Sequence, residues 1–138
     1  MTHGGDPDDA TLIAALDTER FDAWRALLEL DEVFRDRPHA DDDCVWLTQY
    51  PQYGARVELA CRVLGDLGAV TPAYHWMQRK PPSLDAGGAV SPADAIRLAT
   101  TVVRSERFGD GSIEAALNAG VLQAVIAALA AWYREQAG

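Results

Sequence analysis

A short tract near the C-terminal third, Arg104-Ser105-Glu106-Arg107-Phe108-Gly109-Asp110-Gly111, crowds charged and aromatic groups between two alanine-rich segments. Glu106 and Asp110 are a pair of carboxylates that could share acid–base work, with His75 as a third proton carrier. Glu106, Arg107 and Asp110 could line a cleft whose other wall is Tyr74-His75-Trp76 with the long loop over 79–90, and Tyr53 is a further candidate. The candidate binding set is therefore Arg104, Glu106, Arg107, Asp110, Tyr74, His75, Trp76 and Tyr53.

The same residues admit a purely architectural role. Glu106 and Arg107 would lock the corner between two helices, Gly109 and Gly111 would permit positive φ, and Asp110 would cap the next helix. On a helical wheel Ala95, Ile96, Leu98, Ala99, Val102 and Val103 make one apolar face, and Glu106 falls in its middle while Arg104 points away. A carboxylate on a core face, at the negative end of a helix, needs donors. Arg107, the N–H groups of the 109–111 turn, the start of the following helix and the hydroxyls of Tyr50, Tyr53 or Tyr74 are all within the reach of such a need.

The elements that must position these groups are mostly helical. Asp9 is expected to cap a first helix carrying Leu12, Ile13 and Leu16. A second, from about Thr18 to Phe34, gathers Ala23, Ala26, Leu27, Leu30 and Phe34 with Trp24 at the edge, opposite a solvated face of Asp22, Arg25, Glu29 and Glu32 where Arg25 can pair with Glu29. The Asp41–Asp43 run reads as a solvated loop. A short extended piece over 45–49 has β-favouring residues but no evident partner strand. A third helix spans about Tyr53–Leu67 and stops at Gly68, with Cys61 on its core face. Residues 71–78 allow one helical turn, and 79–90 form a proline- and glycine-rich loop. Ser91-Pro92 opens a fourth helix, to about Phe108. Ser112 is expected to cap a fifth ending near Gly120, and a sixth runs from Val121 to about Gln136. The fold class is an all-α bundle of five or six helices: a tail over 1–8 and one domain over 9–138.

Composition narrows the function. Hydrophobic residues make up 49% of 138, an ordinary globular share. The formal charge of −9 lies wholly in the first half, where residues 1–70 hold fifteen acids against six basic residues. That field disfavours nucleic acid and suits a basic or cationic partner. No apolar run is long enough for a membrane span, and no secretory signal opens the chain, so a cytoplasmic, reducing setting is expected, with Cys44 and Cys61 unbridged. His39, Cys44, Cys61 and His75 lack zinc spacing, and Asp41–Asp43 lacks calcium-loop alternation. No G-x-S-x-G elbow or phosphate loop is present, and the residue 112–132 stretch offers alanines where a DNA-reading helix needs polar side chains. No cofactor or metal is implied. In the last helix Ala124, Ala127 and Ala131 form a small, uncharged side that could join two copies in a homodimer.

Residues from about Val45 to Tyr133 resemble a bacterial family of unknown function marked by an R-x-E-R-F-x-D-G tract, here Arg104 to Gly111. Tyr50-Pro51 followed by Tyr53, and Tyr74-His75-Trp76, match further features of that family. Glycine and cysteine are expected at its two variable positions; Ser105 and Gly109 stand here, so any role of that cysteine is missing. The resemblance implies a shared fold and a shared site region without a reaction. Together the residues favour a small binding or interaction module built on the polar-aromatic corner at Arg104–Gly111, taking a protein partner or a small ligand. The alternative is a small enzyme using Glu106, Asp110 and His75 for acid–base chemistry.

Overall fold

The structure, a computed structural model, describes residues 7–137. The elements are α1 (Asp9–Ala14), α2 (Phe21–Asp36), strands β1 (Cys44–Leu47) and β2 (Tyr50–Tyr53), α3 (Ala55–Asp66), a 3-10 turn at Trp76–Gln78, α4 (Pro92–Glu106), α5 (Ser112–Ala119) and α6 (Val121–Ala137). The mostly helical bundle expected from the sequence is what forms. Most of the expected tail, residues 1–6, lies outside the described residues. Asp8 belongs to the fold: its side chain accepts the Thr11 N–H at 2.9 Å and caps α1, so the cap is one residue earlier than Asp9.

The core is built around α6, which packs on α2, α4 and α5, while α3 covers α2 and α1 lies on α4. In α2 the spacing of Trp24, Leu27, Leu30, Asp31 and Phe34 puts all five on one buried stripe. Trp24 is at its centre, fully buried. Its ring stacks on Tyr133 at 4.3 Å and 6° and leans on Trp132, and its indole N–H donates to the Asp17 carbonyl at 2.8 Å. Full burial of a large apolar side chain contributes roughly 1.5–3 kcal/mol. Asp31 is buried in the same stripe. It is tolerated because Arg35 at 2.6 Å and Arg134 of α6 at 3.1 Å both donate to it. The exposed residues Arg25 and Glu29 make no such pair. On α6 the stripe Leu122, Val125, Ile126 and Leu129 is buried; Ala124 is covered by the chain itself, Ala127 is half-buried and Ala131 exposed.

Between α2 and α3 the chain makes a β-hairpin, which supplies the partner strand that the sequence did not reveal. Cys44 pairs with Tyr53, Val45 with Gln52, Trp46 with Pro51 and Leu47 with Tyr50. Pro51 argues against a strand in most sheets, but in a two-stranded ribbon either strand is an edge and the missing N–H costs nothing. Two-stranded hairpins are marginal alone and need anchoring. Asp43 provides it at the base: buried, it accepts both Nε and Nη2 of Arg56 at 2.7 Å and the Ala40 N–H at 3.0 Å. Arg56 in turn caps the Phe34 ring at 4.1 Å. The Asp41–Asp43 run is thus divided, with Asp41 and Asp42 in solvent and Asp43 a structural anchor. Gly54 follows, where any Cβ would meet the Asp42 carbonyl oxygen at 2.5 Å. The first residue of α3 is therefore Ala55, and Tyr53, expected in that helix, ends β2.

Thr100 ties α4 to the segment before the 3-10 turn. Its buried hydroxyl donates to the Ala69 carbonyl and accepts the Thr71 N–H, both at 3.1 Å. α5 and α6 meet at Gly120 with a bend of 73°. Among the described residues no single helix is long and apolar enough to cross a membrane. Cys44 and Cys61 are both free.

Candidate functional site

α4 ends at Glu106, two residues short of the expected Phe108, and its last turn distributes the candidate residues to two different places. Glu106 turns inward. Its carboxylate accepts the Tyr53 hydroxyl at 3.0 Å, the Gly111 N–H at 3.1 Å and the Ile113 N–H at 2.8 Å. Two of those donors are orphan N–H groups of α5, so a residue at the negative end of one helix caps the positive end of the next. Gly111 makes this possible: at φ +111° it holds the left-handed conformation that points its N–H at the carboxylate.

Several expectations about the corner are corrected by this geometry. The N-cap position of α5 is Gly111, and neither Ser112 nor Asp110 caps it; the cap comes from Glu106. Asp110 is exposed. Arg107 is exposed too and makes no ion pair with Glu106 among the described residues, because it lies past the end of the helix, on its solvent side. Gly109 has no positive φ; Gly111 alone in the tract does. Glu106 is half-buried rather than sealed in the core.

Tyr53 links the hairpin to the corner. Its hydroxyl donates to Glu106 and accepts the Glu114 N–H at 3.3 Å. Burial, the bond to Glu106 and that carboxylate's charge together push the phenol above the usual tyrosine range, so it stays a donor. Beside it the Trp46 indole N–H donates to Glu114 at 3.0 Å, and the ring covers Gly111, whose Cβ would lie 3.8 Å from it. Burial, then the Glu114 carboxylate, raises the Cys44 thiol. Burial above all, then Glu106 and Glu58, lifts Cys61 to about 11. Both are thiols at neutral pH, unsuited to nucleophilic work. Among the described residues no group of three His, Cys, Asp or Glu could hold a metal ion.

Arg104 points the other way. It lines an open cleft of about 250 Å³ with Thr71, Tyr74, His75, Trp76 and Met77. Tyr74 is buried, Trp76 half-buried and His75 exposed. Glu106, Arg107 and Asp110 do not line it, so the single cleft expected from the sequence is split: Tyr53 and Glu106 meet on one side of α4, Arg104 and Tyr74-His75-Trp76 on the other. Residues the sequence reading did not single out complete the surface. Phe108 stands 75% exposed with its ring 5.9 Å from Trp76, Met77 is 70% exposed and Trp46 46% exposed. The 108–111 turn thus carries an exposed aromatic ring at each end. The signal for Trp46 is its place in a β-favouring run, in which Val45, Trp46 and Leu47 are all exposed.

Comparison with curated proteins and with solved structures finds no match. A family match spans residues 21–135, which takes in the hairpin, the cleft and the corner. The chain belongs to DUF6508, a family of unknown function.

Proposed function

We propose that the protein is a small cytoplasmic binding module whose recognition surface is the aromatic edge around the 108–111 turn, with the cleft beside it. One observation carries this reading. Phe108 and Trp46 are exposed aromatic side chains at the two ends of a turn held by Glu106, and Met77 is exposed beside Trp76 in the adjoining cleft. Exposed apolar groups scattered singly need no explanation, whereas clustered aromatic ones on a preorganised frame are typical of interaction surfaces. Rigidity matters because ordering a loop on binding costs affinity.

The acid–base alternative loses its principal residue. A general base must face its substrate with an accessible lone pair, and Glu106 turns toward α5 and the Tyr53 hydroxyl, where three donors hold it in place. His75 lines the cleft that Asp110 does not share. A homodimer through α6 is a separate proposal, supported by half-buried Ala127 and exposed Ala131 and weakened by the coverage of Ala124. The acidic first half suits a partner with a basic region.

The test is capture of partners from host lysate by the wild-type protein and by the Phe108→Ser/Met77→Ser variant, matched for melting temperature. A protein that is retained by the former and lost by the latter, and that binds again once purified, supports the module. Identical capture by both removes the aromatic edge as the recognition surface.

A further inference from the structure

We infer that the cleft beside Arg104 receives a single anionic group, a carboxylate, carried on a flat aromatic body. The inference rests on the reading of this face as a recognition surface and says what chemistry it takes. Three arginines of the chain are half-buried: Arg56, Arg97 and Arg104. Arg56 sits on Asp43 at 2.7 Å, and Arg97 bridges Asp9 at 2.7 Å and Asp94 at 2.8 Å. Among the described residues Arg104 has no carboxylate partner. A partly desolvated guanidinium is costly without an anion, and its planar fork matches a carboxylate in two parallel hydrogen bonds. Arg104 is therefore the half-buried arginine that no carboxylate among the described residues answers.

The walls state what should be attached to that carboxylate. Trp76 and Met77 bring an indole and a polarisable thioether to the wall, which favour an aromatic body by stacking and sulfur–ring contact. A volume of about 250 Å³ lies just under the usual small-molecule range and suits one ring system with a short acidic arm. Local charge agrees. The neighbouring carboxylate, Glu106, faces α5 and not the cleft. The net charge of −9 works against polyanions at long range and much less against one charge held at contact distance. Thr100 fixes the Thr71 wall from inside, so the site is present before any ligand arrives.

The carboxylate can come from a free aryl acid or from the C-terminal phenylalanine of a peptide. Phenylacetate and a short peptide ending in phenylalanine are titrated into the full-length protein, each beside its uncharged amide, with backbone NMR shifts as the readout. The expected result is that at least one acid binds tenfold or more tightly than its amide, with shifts centred on Thr71–Gln78 and Arg104. Whichever acid shows that gap identifies the source. Arg104→Met should bring acid and amide to equal affinity while the melting temperature is unchanged. Equal binding of acid and amide to the wild type, an acid preference that survives Arg104→Met, or no binding of any probe at millimolar concentration would each overturn the proposal. Partner capture that still depends on Phe108 while no probe binds removes the cleft and leaves the module. Probe binding with capture indifferent to Phe108 does the reverse.

Discussion

Arg104 and Glu106 are two residues apart on the last turn of α4, and they meet opposite fates. Glu106 reaches an environment that supplies a phenol and two backbone N–H groups, so both carboxylate oxygens have donors. Arg104 reaches an aromatic cleft where no carboxylate among the described residues answers it. A charged side chain with a complete partner set belongs to the fold, and one with an incomplete set marks where the fold expects company. The residue types alone, two charges in one motif, do not separate these cases. A rotation of about 200° around the helix axis does.

Perturbing each side should give effects of very different size. The largest loss is expected at the anchor beneath the hairpin. Asp43→Ala strands Arg56 and should cost about 3 kcal/mol in chemical denaturation. Asp43 also makes this loss pH-dependent. The Arg56 guanidinium and the Ala40 N–H outweigh burial and hold its carboxyl below the usual range. Its contribution is then full above the unfolded value of about 3.9 and fades as pH falls through the lower folded value. Melting curves of wild type and Asp43→Asn should converge between pH 5 and strongly acid solution; a constant gap would deny the pair its role.

Next comes Glu106→Ala, which leaves three donors unanswered and should cost about 2 kcal/mol, with Glu106→Gln losing about half as much because the amide keeps one acceptor. If both variants match the wild type in stability, the closed side of the comparison is wrong. Tyr53→Phe removes one hydroxyl that both donates and accepts, an expected loss of about 1 kcal/mol, measurable as a lower denaturation midpoint. The smallest effect belongs to Arg104. Arg104→Met should change stability by less than about 0.5 kcal/mol. A large loss there would mean that the arginine, like the glutamate, is spent on the fold.

How much of this could be read from the sequence differs between the two sides. Periodicity found the buried stripes of α2, α4 and α6, and Ser91-Pro92 marked the start of α4, where Ser91 accepts the Asp94 N–H at 3.1 Å. The need of Glu106 for donors followed from its place on the wheel, and so did three of the places where donors could be found. Its reciprocal role, capping α5 across a turn, did not follow, because local rules look for the cap within the helix it serves. The hairpin was half visible. Val45 and Trp46 suggest a strand, but Pro51 disguises its partner, and pairing is a long-range event that no window of residues reports. Asp43 shows the same limit: in sequence it is one of three equal aspartates, and only the approach of Arg56 from α3 sets it apart. Arg104 and Tyr74-His75-Trp76 stand in one candidate set, but the sequence sets Glu106, Arg107 and Asp110 against the aromatic run, and only the fold puts Arg104 there instead.

The stack of Trp24 on Tyr133 has a consequence for the order in which the chain acquires its shape. Both it and the bridge from Asp31 to Arg134, which spans 103 residues, join the second helix to the sixth. Such closure is slow compared with local contacts, because the loop entropy is lost before the packing returns it. The corner at Glu106 closes over only seven residues, from Glu106 to Ile113. During synthesis, then, α4 and α5 can form their angle while α2 still displays a bare indole, awaiting a helix that the ribosome has not yet made. The corner at Glu106 is older, on that timescale, than the core that carries it.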